Sequence, residues 1–389
     1  MNIKFNKIIN LFLFITFQII SITSFANVQS DALVMMISIS SDGYYAISSH
    51  LDGELILWDI KAHTKKIIAS HANIYSAYFI KHTHSFMWQD INNVVHVQNI
   101  DGKTLLQFQN HFPVYGQVMS SNLKNYFASD QQWNLYQGIG ANQKKIKSAY
   151  DINGLLSSGK LLNLVISNNN HFLVTSGDAE RAYDLVPLAK AINTKMAAAQ
   201  KYNVGTIDAS LLDGVVIWNI NTGKPLFKLP GNEVKTYATI SPDNNYVISG
   251  DENEFLFVWN AHTGKKYFSV SNTWLDIPQD INDPLLKNHI NAIQTLKFID
   301  NNNDYLRFNY RSFNYAVLYT VSNPHPIQYI YLGNNTWPSV NHFLRNESID
   351  TAPAANILVM GRADNSGIIV YKYHPQQKSL EKIWEPHIP

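Results

Sequence analysis

Cysteine is absent from all 389 residues. That excludes disulfide staples, thiolate metal sites, cysteine nucleophiles and lipid attachment to an N-terminal cysteine of a mature chain. A dominant charge is missing too. The chain has 30 Lys+Arg against 29 Asp+Glu, a formal +1, so there is no global field for a polyanion and nucleic acid is not an expected partner. Long apolar runs are confined to the first residues. Ile8 to Ile22 follows Lys4 and Lys7 and leads into Ser24-Phe25-Ala26, which offers small residues at both positions a signal peptidase reads. The run is short of the roughly 20 residues of a bilayer span and has no cationic stop behind it. Residues 1–26 therefore read as a cleaved signal peptide and residues 27–389 as a mature chain without a transmembrane segment. Export without disulfides requires a large apolar core, which this length can supply. Periplasm or extracellular medium is the expected compartment, and heavy use of Asn, Ile, Lys and Tyr with little Arg resembles a chain from an AT-rich bacterial genome.

What is present is a recurring phrase. A hydrophobic run ends in a tight turn containing Asp, and about six residues later a second apolar strand closes on Trp or Tyr beside a small polar residue. The clearest copies are Leu51-Asp52-Gly53 with Trp58-Asp59, Leu212-Asp213-Gly214 with Trp218-Asn219, and Asp251 with Trp259-Asn260. Val, Ile, Tyr and Trp dominate the runs and turn residues interrupt them too often for helices of ordinary length, so the chain reads as all-β. Each copy divides into four short strands, an antiparallel meander of about 40 residues. Eight such units are legible, beginning near Leu33, Ile74, Val114, Lys160, Thr206, Val234, Ile290 and Pro338. The turn aspartates Asp52, Asp90, Asp130, Asp178, Asp213, Asp251 and Asp364 mark seven of the eight. An open row of meanders would leave edge strands unpaired, whereas radial closure protects them. The expectation is one β-propeller of eight blades, with seven blades as the alternative. Two segments break the pattern, near 188–202 and 272–288.

The Asp-Gly turn, the Trp-Asp or Trp-Asn pair and the following Thr222-Gly223-Lys224 and Thr263-Gly264-Lys265 resemble the WD40 propeller family, as do the turns Ser40-Ser41-Asp42-Gly43 and Ser241-Pro242-Asp243. The family's Gly-His pair is largely missing: His71 and His289 precede strands without an adjacent glycine. The turn aspartates are then expected to accept from nearby backbone N–H groups and hydroxyls. The resemblance implies a scaffold that binds protein or peptide partners on its faces, and it names no particular partner.

Little in the sequence points to chemistry. Seven aspartates at one repeat position would be distributed around a ring, which suits turn-fixing and not convergence on a substrate. Trp58, Trp218 and Trp259 share one strand position and are expected to fill space between blades. His82 and His84 lack a third ligand at metal spacing. Lys144, Lys145 and Lys147 read as a solvated turn. Ser157-Ser158-Gly159-Lys160 lacks the frame of a phosphate loop. Asp300-Asn301-Asn302-Asn303-Asp304 begins like a calcium loop but has Tyr305 where glycine is needed and Arg311 at the distal glutamate position. Accordingly no catalytic residue, metal or cofactor is expected. The remaining candidates are Trp274, Leu275, Ile277 and Leu286 of the second irregular segment, an apolar anchor among acids and prolines. The expected function is a non-enzymatic protein-binding scaffold of the bacterial cell envelope or secreted fraction, with a membrane-associated assembly as one setting. The alternative is a propeller enzyme or a small-ligand or glycan sensor using a central channel.

Overall fold

The computed structural model describes residues 34–73, 75–130, 134–147, 160–178, 215–229, 236–251, 254–270, 293–309, 315–332, 348–362 and 367–386. They form seven four-stranded antiparallel sheets, each made of strands consecutive in the chain. Blade 1 is β1 (Val34–Ile39), β2 (Tyr45–His50), β3 (Leu55–Asp59) and β4 (Thr64–Ala69). Blade 2 is β5 (Tyr78–Phe79), β6 (Ser85–Gln89), β7 (Val94–Asn99) and β8 (Thr104–Gln109), and blade 3 is β9 (Val114–Met119), β10 (Tyr126–Asp130), β11 (Leu135–Gln137) and β12 (Lys144–Lys147). Blade 4 is β13 (Lys160–Ile166), β14 (Phe172–Asp178), β15 (Val215–Asn219) and β16 (Lys224–Leu229). Blade 5 is β17 (Thr236–Ile240), β18 (Tyr246–Asp251), β19 (Leu256–Asn260) and β20 (Lys266–Val270). Blade 6 is β21 (Ile293–Phe298), β22 (Asp304–Asn309), β23 (Tyr315–Thr320) and β24 (Asn323–Tyr331), and blade 7 is β25 (Ile349–Ala352), β26 (Ile357–Gly361), β27 (Ile368–His374) and β28 (Ser379–Trp384). The first strand of each blade lies innermost, and together these strands line a central channel.

Seven blades, not eight, close the ring, and the reason lies in blade 4. The fourth and fifth units expected from the sequence are two halves of one sheet: β13 and β14 come from the former, β15 and β16 from the latter. β14 pairs with β15 from Phe172↔Asn219 to Ser176↔Val215, the register in which β2 pairs with β3 from Tyr45↔Asp59 to Ser49↔Leu55. An insertion about as long as a repeat, carrying its own aspartate Asp213, cannot be told from a repeat by spacing alone. The starts of the fifth and eighth expected units, near Thr206 and Pro338, lie outside the described residues, as do residues 1–26 and the segments 188–202 and 272–288. Blade 7 takes its innermost strand from Ile349–Ala352 instead. Among the described residues no helix is long and apolar enough to cross a membrane.

The apolar core is divided the same way. Among the described residues it consists of seven buried clusters, each spanning two neighbouring blades, including one that joins blade 7 to blade 1. Strand alternation explains how one strand serves two clusters. In β3, Ile56 and Trp58 pack toward blade 7 while Leu55 and Leu57 pack toward blade 2. In β19, Phe257 and Trp259 pack toward blade 4 while Leu256 and Val258 pack toward blade 6. Both faces of such a strand are covered, so it reads as a continuous apolar run with no polar alternation. The outermost strands bear the solvent face; β4 begins with exposed Thr64, Lys65, Lys66 and Ile67.

Candidate functional site

The three tryptophans occupy one structural position. Trp58, Trp218 and Trp259 are buried, and each packs against the preceding blade. A buried indole N–H needs an acceptor, and the same one is supplied each time. Trp58 Nε1 donates to Ser48 Oγ at 2.8 Å, Trp218 Nε1 to Thr175 Oγ1 at 2.9 Å and Trp259 Nε1 to Ser249 Oγ at 3.1 Å. The hydroxyl stands ten residues before the tryptophan in blades 1 and 5 and 43 before it in blade 4. The diagonal geometry is the same, because the extra residues enter between β14 and β15. These hydroxyl residues escaped the sequence reading; a Ser ten positions ahead of Trp58 and of Trp259 was the available signal.

The turn aspartates separate into two registers. Asp90, Asp130 and Asp251 open the turn between the second and third strands, each donating its own amide to the residue four further on. Their carboxylates draw the turn together. Asp90 Oδ1 accepts from the amides of Asn92 and Val94, Asp130 Oδ1 from Asn134 and Asp251 Oδ1 from Phe255. In blade 1 that place belongs to His50, and Asp52 sits two residues later, accepting from the Glu54 amide. Gly53 follows at φ +88 and Asn93 and Glu254 take left-handed backbone at the matching place, which is why Gly recurs there without being obligatory. Asp178 is the last residue of β14, while Asp213 and Asp364 lie outside the described residues. Burial would raise the Asp90 carboxyl, but hydrogen bonds from His96 and the two amides outweigh it and hold it below the usual carboxylate value. His96 itself stacks on Trp88 with centroids 4.2 Å apart.

Side-chain hydrogen bonds tie every pair of neighbouring blades. The Phe79 amide donates to Ser38 Oγ at 3.0 Å, Gln117 Nε2 to the Ser76 carbonyl at 2.7 Å, and Asn170 Nδ2 to Ser121 Oγ at 2.7 Å. Asn163 Nδ2 donates to the Ala238 carbonyl at 2.9 Å, Asn303 Nδ2 to Asp243 Oδ2 at 2.8 Å, and Thr351 Oγ1 to the Phe298 carbonyl at 2.7 Å. The ring closes where Asp350 Oδ2 accepts from the Ile39 amide at 3.1 Å and from Ser38 Oγ at 3.3 Å. Residues 300–304 take part in this fastening. Asp300 is buried and accepts from the Asn302 and Asp304 amides, and Asp304 accepts from Tyr373 OH and Lys378 Nζ of blade 7. His82 and His84 do not converge: His82 lies at the channel mouth, and His84 bonds Asp42 of blade 1. Lys145 lies over the Tyr136 ring at 5.6 Å. Trp274, Leu275, Ile277 and Leu286 lie outside the described residues, in the connection from β20 to β21.

The channel has a volume of about 200 Å³ and draws its wall from all seven innermost strands and the turns that follow them. Three groups of opposite sign meet in it: Lys81, Lys297 and Asp350. Lys297 Nζ bonds Asp350 Oδ1 at 3.2 Å. Burial pulls the Lys81 ammonium down to about 8; Asp350 partly offsets this and Lys297 adds to it. Sequence reading missed the three because each sits in a different repeat and only closure of the ring brings them together.

Comparison with known proteins fits this geometry. Residues 223–260 match the family model described as WD domain, G-beta repeat. That stretch takes in the outer strand of blade 4 and the first three strands of blade 5, so the sequence repeat is offset by one strand from the blade. No curated protein sequence matches the chain. Among solved structures, a chain of the mitotic checkpoint complex is similar at a TM-score of 0.60 and 12% identity, over 90% of either chain. The β-propeller domain of Myceliophteria thermophila Cps50 (Swd1) is similar at a TM-score of 0.59 and 8% identity, over 90% of this chain and 99% of that one. At such identities the likeness is one of fold. The chain is a seven-bladed β-propeller of the WD40-repeat-like kind.

Proposed function

We propose that the protein is a non-enzymatic protein-binding scaffold, exported from a bacterial cell to its envelope or surroundings. The observation that carries this reading is the complete set of fastenings between blades, seven apolar clusters with seven side-chain ties, which makes the strands a platform and leaves the connections to vary. The partner-binding assignment stays with Trp274, Leu275, Ile277 and Leu286 in the long connection between blades 5 and 6. Affinity purification of the full chain from its native cells, compared with a chain lacking residues 272–288, tests it. The expected result is a stoichiometric protein captured by the full chain and lost on deletion, with the thermal melt unchanged. Capture that survives the deletion removes the site assignment, and no stoichiometric partner at all removes the scaffold reading. N-terminal sequencing of the exported protein should begin just after Ala26; recovery of the uncleaved chain from the cytoplasm would contradict export.

A second reading, a small-ligand sensor working through the central channel, has a specific observation in its favour. Two lysines and one aspartate from three blades are gathered in the channel wall.

A further inference from the structure

We propose that the channel mouth binds a carboxylate between Lys81 and Lys297, carried on a free small acid or on an acidic side chain that a partner inserts. This names a ligand class for the channel reading and does not depend on the scaffold reading.

The argument begins with what Asp350 already does. Its Oδ2 accepts from the Ile39 amide and Ser38 Oγ, closing blade 7 onto blade 1, and its Oδ1 accepts from Lys297 Nζ. The carboxylate is therefore engaged on both oxygens, and one lysine neutralises it. Lys81 brings a second cation to the same wall, from blade 2. Among the described residues its ammonium has no hydrogen-bonding partner, and the charged groups facing it are Asp350, which favours its charge, and Lys297, which opposes it. Among the described residues, Tyr78 and His82 are the further titratable groups of the wall. With His82 neutral, the channel carries one uncompensated positive charge.

The fold does not require that lysine. The second residue past the innermost strand, Lys81 in blade 2, is Ser41 in blade 1, Ser121 in blade 3, Asn168 in blade 4, Pro242 in blade 5 and Asp300 in blade 6. A cation held next to another cation in a confined wall is a cost to the folded state, and such costs concentrate where ligands bind. Burial in the wall is the main cause of the lowered basicity of Lys81, and Lys297 adds a smaller share. The space also sets the size. About 200 Å³ is below the 300–1,000 Å³ of drug-sized sites and admits a carboxyl group on a short stem. Met36, Phe79 and Ile240 supply apolar wall beside the lysines, so an aliphatic stem gains contact as the carboxylate meets the ammonium groups.

The test uses the full chain with its lysines reductively methylated with a ¹³C label, which keeps their charge and reports each one's titration. Acetate, butyrate and inorganic phosphate are added at constant ionic strength, with chloride as the control. The expected result is a saturable shift of the Lys81 signal by acetate, stronger with butyrate, with Lys81 titrating at higher pH when the acid is bound. Affinity should fall about tenfold per pH unit once Lys81 loses its proton above about pH 8. Lys81→Met should abolish binding, Lys297→Met, read on Lys81, should weaken it at least tenfold, and Asp350→Asn should tighten it severalfold. Because Asp350→Asn touches the ring seam, its melt is recorded alongside; Lys81→Met leaves the seam bonds in place and decides the matter if the other variant unfolds. An equal response to chloride, a response to phosphate alone, or one unchanged in Lys297→Met overturns the proposal. Capture of a partner lost in Lys81→Met would assign the carboxylate to that partner, and capture unchanged while acetate binding is lost would assign it to a free acid. Absence of any partner leaves the acetate titration standing.

Discussion

At Trp58 a single side chain joins packing and hydrogen bonding: the ring is fully buried against blade 7 while its N–H reaches Ser48 Oγ, which also meets His50 Nε2 at 2.8 Å. Trp58→Phe keeps most of the volume and loses the bond, so urea unfolding should show a loss of about 1–2 kcal/mol. Trp58→Ala should lose about 3–5 kcal/mol, with the cavity added. Trp259→Phe should match Trp58→Phe if the shared geometry sets the cost. The tryptophans were legible in the sequence because the residue type recurs at a fixed place. Their hydroxyl partners were not, since Ser and Thr are common and the interval of ten is broken in blade 4. The aspartates were legible as turn residues, yet Asp52 could not be distinguished from Asp90 without the register of the strands. Asp90 also gives a pH dependence. Its carboxyl lies below the usual value, so its contribution is complete above the unfolded value near pH 4 and is lost as the pH falls through the lowered one. Asp90→Asn should therefore cost about 0.5–1 kcal/mol at pH 7 in urea unfolding, and the difference should shrink as the pH falls below the unfolded carboxylate value.

Between elements, the blades approach closely where a glycine faces a branched side chain. Gly250 in β18 faces Ile293 in β21, and a Cβ there would lie 2.7 Å from Ile293 Cδ1 and 3.2 Å from its Cβ. Both belong to buried strands, so relief requires the blades to shift. Gly250→Ala should cost about 1–3 kcal/mol by overpacking, and Ile293→Ala in the same chain should recover part of that loss. A double-mutant cycle on unfolding free energies reads the coupling; simple additivity would show that the two blades do not meet there. At this scale the sequence was a good guide to strands and a poor guide to their grouping. Apolar runs such as Val215–Asn219 and Leu256–Asn260 announce strands covered on both faces. They do not say that β14 and β15 are neighbours, because 36 residues separate Asp178 from Val215 and that interval imitates a repeat. The count of eight fails for that reason alone. The channel groups were equally hidden, since Lys81, Lys297 and Asp350 are brought together only by closure of the ring.

Closure itself is the property of the whole molecule most open to test. Each sheet is built from four consecutive strands, so among the described residues no strand is exchanged between the first and last blades, and the seam between them depends on side chains. Its apolar part is the cluster from Val34, Ile37 and Trp58 to Val359 and Val370, with Trp384 packed against it. Trp384 meets Trp58 edge-on at 6.2 Å and stacks on His63 at 5.0 Å. Its polar part is Asp350 on the Ile39 amide. A seam without strand exchange has no backbone ladder across it, and local opening follows the side-chain contacts that remain. Trp384→Ala should therefore lower stability by about 2–3 kcal/mol and act unevenly. Amides of β1 and of blade 7 should lose protection in hydrogen exchange, while those of β18 and β19, on the far side of the ring, keep wild-type values under native conditions. Equal loss of protection in all blades would mean that the ring opens only as a unit and that the seam is as strong as the other six junctions. Asp350→Ala provides the second arm: it removes the polar tie, and combined with Trp384→Ala its effect should exceed the sum of the two, because either fastening alone still holds blade 7 against blade 1.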